Sequence, residues 1–223
     1  MKKILNYING ELIEPKSNSY IDNFEPAKGE VYSLIPDSDE NDVELALQAA
    51  EEAFPTWSKT PKEERSAILK KIADLIEENL DTLAEAESRD NGKPLALAKK
   101  VDIPRASHNF SFYSSAIIHF ESESHDMEIG AINYTLRQPI GVAACISPWN
   151  LPLYLFSWKI APAIAAGNCV IAKPSEITPM TAFLLSDICI KAGLPKGVLN
   201  IVHGYGHKVG AAFSITITRE KLT

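Results

Sequence analysis

The spacing of apolar residues changes period along the chain, and each change marks a class of element. Residues 5–8, 10–13 and 30–35 are short apolar-polar alternations, separated by Asn9-Gly10 and by Pro26-Ala27-Lys28-Gly29, and predict strands joined by turns. The period then becomes helical. Asp39 is placed to cap a helix running to about Phe54, with Val43, Leu47 and Ala50 on one face. Thr60-Pro61-Lys62-Glu63 predicts a capping box with proline at the first helical position, followed by Ile68, Leu69, Ile72, Leu75 and Ile76 at helical spacing. A helix over residues 81–90 stops at Asn91-Gly92. Residues 94–120 continue helically, with Pro104 opening a new segment after Asp102. Residues 121–126 are acidic and polar and predict a surface loop. Residues 127–142 predict a hairpin around Gly130, with Ile132, Tyr134 and Leu136 on one face of its second arm.

From Gly141 onward the pattern alternates: strand 142–146, helix 151–166, strand 169–172, helix 179–191 and strand 198–202, with Gly193 and Gly197 marking the last turn. Strands alternating with helices predict a parallel sheet with crossover helices. The predicted fold class is therefore α/β: N-terminal helices and a β-hairpin arm, joined to an incomplete parallel-sheet, Rossmann-like unit. The boundaries fall at 1–126 for the N-terminal strands and helices, 127–141 for the hairpin, 142–212 for the βαβαβ units and 213–223 for a divergent tail.

Bulk properties narrow the function. The chain is 45% hydrophobic and 23% charged, an ordinary globular composition, and shows no internal repeat. Its net charge is −7 with no basic run, which argues against nucleic acid as a partner. The N-terminus has no apolar core of a signal peptide. The longest apolar segment, residues 151–166, carries Pro152, Lys159 and Pro162 and is too short and broken to span a bilayer. Cys145, Cys169 and Cys189 lie in apolar patterns without metal or redox spacing, so buried reduced thiols in a cytoplasmic protein are expected. His108, His119, His125, His203 and His207 show no paired ligand spacing, and no metal site is expected.

Candidate chemistry lies where strands end. Ser147-Pro148-Trp149-Asn150 follows the first strand of the alternating region, and Lys173-Pro174-Ser175-Glu176 follows the second. Open α/β sheets bind ligands at the carboxyl ends of their strands, so both turns can line one crevice. The Asn150 amide can donate to a developing oxyanion, or the residue can cap the following helix. Glu176 can accept from ribose hydroxyls and Lys173 can hold a hydroxyl or neutralise phosphate; alternatively the two form a solvated pair in a turn. Gly204-Tyr205-Gly206-His207-Lys208-Val209-Gly210 is one residue longer than the dinucleotide fingerprint and reads equally as a tight turn before a helix. Trp149 fits either the site or the core. Trp57 and Trp158 read as core. Lys159 sits in an apolar helix and needs a partner or a route to solvent.

Two of these words, Pro148-Trp149-Asn150 and Lys173-Pro174-Ser175-Glu176, with Asp90-Asn91-Gly92-Lys93-Pro94 upstream, resemble the NAD(P)-dependent aldehyde dehydrogenase superfamily in order and spacing, from about Asn6 to about Ala211. Asp102-Ile103-Pro104-Arg105 and the residues from Ser147 to Tyr154 add similarity to the branch acting on 2-aminomuconic or 2-hydroxymuconic semialdehyde. The resemblance implies NAD as cofactor and a small-molecule aldehyde as substrate. It implies that Asn150 helps hold the thiohemiacetal oxygen, and that Ile146, Ser147, Pro148 and Trp149 line the nicotinamide side. Lys173 and Glu176 would contact the adenosine ribose, with Ser175, Gly206 and Gly210 also in the cofactor-binding set. A carboxylate at Glu176 would repel a 2′-phosphate and favour NAD over NADP. The hairpin would belong to the oligomerisation arm of a homo-oligomer.

The resemblance also implies a cysteine nucleophile and a glutamate general base, both downstream of Thr223. Cys145, Cys169 and Cys189 do not match the nucleophile motif, and residues 213–223 depart from the family pattern. The expectation is a truncated, alternatively ended or frameshifted chain, inactive alone, whose unfinished sheet exposes an unpaired edge. Two further readings stay open: a non-catalytic nucleotide-binding or subunit-docking chain, and a dehydrogenase for another aldehyde, such as betaine aldehyde or a medium-chain aldehyde.

Overall fold

Asn9 and Gly10 both adopt positive φ, 52° and 76°, the backbone of a two-residue hairpin turn whose twist suits the strands it joins. A computed structural model describes residues 1–214. Through this turn β2 (Asn6–Ile8) pairs antiparallel with β3 (Glu11–Ile13). A second hairpin, β4 (Tyr20–Glu25) and β5 (Glu30–Pro36), turns through Gly29, and the short β1 (Lys2–Lys3) pairs parallel with β5. The sequence reading has no strand at β4. Its inward positions, Asn23 and Glu25, are polar, so the alternation that marks a half-buried strand is absent.

The helices begin as the sequence suggests at one cap and differ at the next. Asp39 caps α1 (Glu40–Trp57), and Asp42 completes a capping box. At α2 (Lys62–Glu78) the predicted box is absent: Pro61 is the cap residue and no side chain caps the helix. The Thr60 hydroxyl donates to the Thr56 carbonyl at 3.2 Å instead, which takes it away from the helix start. α3 (Leu80–Asn91) ends at Gly92, whose φ of 79° gives the left-handed stop expected there. Pro104 stands in the first turn of a new helical segment after Asp102, as the sequence suggests. The short α4 (Leu95–Leu97) runs through a π-helical turn, Ala98–Asp102, directly into α5 (Ile103–Ile118). In that turn the Ile103 amide bonds the Ala98 carbonyl, and the wider winding accommodates a proline at the start of α5. The predicted loop at 121–126 is partly strand: β6 (Ser124–Met127) and β7 (Ala131–Tyr134) pair around Gly130.

The alternating region forms as predicted: β8 (Val142–Ile146), α6 (Pro152–Ala165), β9 (Cys169–Lys173), α7 (Met180–Ala192) and β10 (Leu199–Ile201). β8, β9 and β10 are parallel, and β2 joins β10 antiparallel, giving the order β3-β2-β10-β9-β8. The N-terminal hairpin thus closes one edge of this sheet. Among the described residues no strand pairs the outer side of β8. β9 is buried along its whole length, as a central parallel strand should be. Gly197, φ 79°, lies against α1: a Cβ there would stand 2.3 Å from the Ala49 carbonyl oxygen. Among the described residues no helix is long and apolar enough to cross a membrane.

The core is filled by Tyr7, Trp57, Phe110, Phe156 and a large aliphatic set, with α2, α5 and α6 packed in succession. Trp57 is buried as expected, and its indole N–H donates to the Ile164 carbonyl at 3.2 Å. Trp158 is not core. It is 48% exposed and stacks on Tyr154, because α6 is apolar on more faces than its neighbours can cover. The Ile215/Ile217 alternation lies outside the described residues.

Candidate active site

The two strand-end turns start at the same level. Ile146 and Lys173 are register partners, and the Ser147 amide donates to the Lys173 carbonyl at 3.1 Å. Beyond that point Ser147 is buried, while Pro148, Trp149 and Asn150 face outward. Lys159 on α6 reaches back to the end of β8, donating from Nζ to the Ile146 carbonyl oxygen, so its role here is structural. Asn150 does not cap α6. The cap residue is Leu151, without a side-chain bond, and the Asn150 amide has no partner among the described residues.

Two carboxylates on α3 do the capping instead. Glu87 accepts from the Leu153 amide at 3.4 Å, at the start of α6, and Asp90 accepts from the Met180 amide at 2.7 Å, at the start of α7. Both are buried and stand one turn apart on the same face of α3. Placing a negative group at each helix start also complements the positive end of the helix dipole. Burial pushes the Glu87 carboxyl up to about 7, with the nearby Lys93 charge opposing and Asp102 adding. Burial pushes Asp90 up to about 6 against hydrogen bonds from Tyr32, Met180 and Asn23. Lys93 lies between the carboxylates of Asp102, 2.8 Å away, and Glu87, 3.5 Å away. Asn91 Nδ2 donates to the Trp149 carbonyl at 2.8 Å, and Lys93 Nζ reaches the Asn150 carbonyl at 3.4 Å. The sequence reading marked Asp90 to Pro94 as a motif word but gave none of these residues a role at the site.

Lys173 is buried and makes three bonds of 2.9 Å each: to the Pro174 carbonyl, the Gly204 carbonyl and Glu176 Oε2. All three protons of the ammonium are therefore committed within the protein. Glu176 is the group left facing outward. Burial pushes its carboxyl up, but the Lys173 hydrogen bond and charge outweigh this and hold it below the ordinary glutamate range. His203 lies close enough to feel the Lys173 charge, and burial together with that charge pushes its imidazole down to about 3, so it stays neutral. Ser175 is buried in the turn, where its hydroxyl accepts from the Ile177 amide at 3.2 Å.

Trp149 and Glu176 share a cleft of about 360 Å³ with Phe24, Asn91, Ile177 and Tyr205. Gly206–Gly210 forms a π-helical turn at its edge, continuing as α-helix over residues 211–214. In the glycine pattern it is Gly204 that the fold requires: its φ is 143°, and a Cβ would stand 2.8 Å from Val209. A Cβ on Gly206 would meet nothing within 4 Å, so open space adjoins that backbone, and one on Gly210 would meet Ile146 at 3.7 Å. A dinucleotide fits this donor set: an ionised carboxylate facing the cleft can accept from ribose hydroxyls, and bare backbone can approach a phosphate. The three cysteines are buried and free, and burial pushes Cys145 up to about 11 and Cys169 and Cys189 to about 12. All three therefore stay protonated at neutral pH, unsuited to nucleophilic attack. Among the described residues no group of three or more potential ligands could hold a metal ion.

The profile of the aldehyde dehydrogenase family matches residues 12–218. The chain belongs to that family. It is 52% identical over 208 residues to 2-aminomuconic semialdehyde dehydrogenase of Homo sapiens, covering 93% of this chain and 42% of that protein. It is 41% identical to 2-hydroxymuconic semialdehyde dehydrogenase of Pseudomonas sp. (strain CF600), over all of this chain and 49% of that one. Its fold matches the NAD+ complex structure of aldehyde dehydrogenase from Bacillus cereus with a TM-score of 0.92 and 34% identity, covering 95% of this chain and 43% of that chain. The chain thus spans less than half the length of these dehydrogenases.

Proposed function

We propose that the protein carrying these residues oxidises an aldehyde of the muconic semialdehyde class to the carboxylic acid, with NAD as cofactor. The observation that carries this reading is the Glu176 carboxylate, held ionised by Lys173 and turned into a cleft shared with Trp149, in a chain of this family. In the reading Glu176 accepts from the adenosine ribose, and its charge disfavours a 2′-phosphate, which selects NAD over NADP. Lys173 orients Glu176, and Ser175 shapes the turn between them. Gly206, with open space beside its backbone, and Gly210 border the cofactor. Ile146, Ser147, Pro148 and Trp149 form the nicotinamide side, chiefly through backbone. Asn150, whose amide is uncommitted, donates to the oxygen that becomes negative when the carbonyl is attacked. NAD, when bound, would supply the hydride acceptor. The attacking thiolate and the base that activates water belong to the part of the relatives' length that these residues do not span. The hairpin exposes Ile132, Tyr134 and Leu136, at 73%, 64% and 67%, which supports burial of this arm between copies in a homo-oligomer.

The test is NADH formation by the natural protein with 2-aminomuconic and 2-hydroxymuconic semialdehydes, alongside NAD titration of Glu176→Ala. NADH formation with the semialdehydes, and NAD binding weakened by about tenfold, roughly one lost charge-assisted hydrogen bond, are the expected results. An unchanged NAD dissociation constant would remove the ribose role from Glu176. Absence of NADH with either semialdehyde but not with other aldehydes would overturn the substrate class.

A further inference from the structure

Trp149 and Asn150 sit in a stretch that its own backbone holds poorly. Pro148 and Pro152 have no N–H, Leu151 caps α6 without a side-chain bond, and the sheet's last hold on the turn is the Ser147 amide. The two carbonyls of this stretch are gripped from another element. Asn91 Nδ2 donates to the Trp149 carbonyl at 2.8 Å, and Lys93 Nζ reaches the Asn150 carbonyl at 3.4 Å. These carbonyls belong to the two peptide planes that flank the Asn150 Cα. Fixing both planes fixes φ and ψ at that residue, and with them the direction of its Cα–Cβ bond. The gripping groups are themselves immobilised. Gly92 stands between them in the left-handed region, which reverses the chain so that both side chains reach the same turn. Lys93 is buried and anchored to Asp102 at 2.8 Å and to Glu87 at 3.5 Å.

We propose that Asn91 and Lys93 are positioning residues: they clamp the peptide planes on either side of Asn150 and thereby fix the direction of its free amide, next to the cleft that Trp149 lines. The clamp deepens the functional reading above and rests on it for the purpose of the aim, whereas the clamp itself is a property of the fold. A group that must meet a developing oxyanion needs such support, because misplacement by about 1 Å can cost on the order of a hundredfold in rate. The proposal explains why Lys93 and Asp102, which do not line the cleft, pair at 2.8 Å with their side chains buried.

The experiment uses the natural full-length protein with Asn91→Asp, which keeps the shape and loses the donor, and Asn91→Ala. Lys93→Arg retains the charge. Amide hydrogen exchange over residues 149–155, the melting temperature, and kcat and KM for aldehyde and for NAD are measured together. The clamp predicts exchange at the bonded amides that follow the turn, Leu153 and Leu155, roughly tenfold faster in both Asn91 variants, with the sheet unchanged. It also predicts kcat lower by about tenfold or more while KM for NAD stays within about twofold, the signature of a misaimed group rather than a lost binding site. Lys93→Arg should keep slow exchange. Unchanged exchange at Leu153 and Leu155 overturns the clamp, and so does a kcat loss that only follows the melting temperature. If the unaltered protein forms no NADH with any aldehyde, the functional reading fails, and the exchange data still decide the clamp.

Discussion

Asp90 on α3 accepts the Met180 amide at 2.7 Å and so caps α7 from a helix ninety residues upstream in the chain. The same carboxylate accepts from Asn23 Nδ2 at 2.8 Å and from the Tyr32 hydroxyl, which ties the β4–β5 hairpin to the helix start. Asp90→Ala would strip the acceptor from the Met180 amide, from the half-buried Tyr32 hydroxyl and from one N–H of Asn23, whose side chain keeps its bond to Ser33. The expected loss of stability is on the order of 3–5 kcal/mol by denaturant unfolding, with Asp90→Asn losing less because one acceptor oxygen remains. A loss below about 1 kcal/mol for the alanine variant would show that water or another group replaces the carboxylate.

Glu87 makes stability depend on pH. Burial raises its folded carboxyl to about 7 from an ordinary 4.5, so the folded state favours the protonated form. The resulting stabilisation is full below the ordinary value and is lost as pH rises through about 7. Asp90, raised to about 6, acts in the same direction. Melting temperature of the unaltered protein should therefore fall more between pH 5 and pH 8 than that of Glu87→Gln, by roughly 2–8 °C if the difference is about 1–2 kcal/mol. Parallel curves for the two proteins would mean that Lys93 keeps Glu87 ionised throughout this range.

What the sequence discloses follows from how local the cause is. The β8-α6-β9-α7-β10 order was legible because apolar runs of strand and helix length alternate there, and turn residues close each one. The Asp39 cap, the Gly92 stop and the Asn9-Gly10 turn were legible because each is decided within a few residues. β4 was hidden because Asn23 and Glu25 face inward and are satisfied by Ser33, Asp90, Lys28 and Arg89, mostly distant in sequence. The strand-end turns could be placed on one crevice by topology alone. The grip of Asn91 on the Trp149 carbonyl could not, since 58 residues separate the partners and neither residue type marks it. Likewise, the commitment of all three Lys173 protons inside the protein depends on Gly204, which only the fold brings near.

Trp57 and Trp158 offer a direct check on the corrected core. Trp57 is 2% exposed and anchored through its indole N–H, whereas Trp158 is half exposed and stacked on Tyr154. Trp57→Ala should cost about 3–5 kcal/mol through lost burial and the cavity it leaves. Trp158→Ala should cost less than about 1 kcal/mol, since only one exposed aromatic contact is removed. Denaturant midpoints measured side by side decide it, and the reverse order would mean that Trp158 is covered in the protein in solution.

The ion pair of Lys173 and Glu176 is asymmetric, and the asymmetry predicts how its loss is shared. Lys173 is 3% exposed at its side chain and Glu176 31%, and their closest approach is 2.9 Å. Lys173→Met strips bonds from the Pro174 and Gly204 carbonyls as well as from Glu176, so a loss of about 2–4 kcal/mol is expected. Glu176→Gln still offers an oxygen to the ammonium and is partly screened by solvent, so its cost should be near 1 kcal/mol. The double variant should be more stable than the sum of the two losses predicts, by about 0.5–2 kcal/mol, because each single change already breaks the shared contact. Removing Lys173 should also let burial dominate at Glu176 and raise its carboxyl from its present low position. A cycle that closes with no coupling would mean that Lys173 is held by the two carbonyls alone, and that the direction of Glu176 is set by its turn.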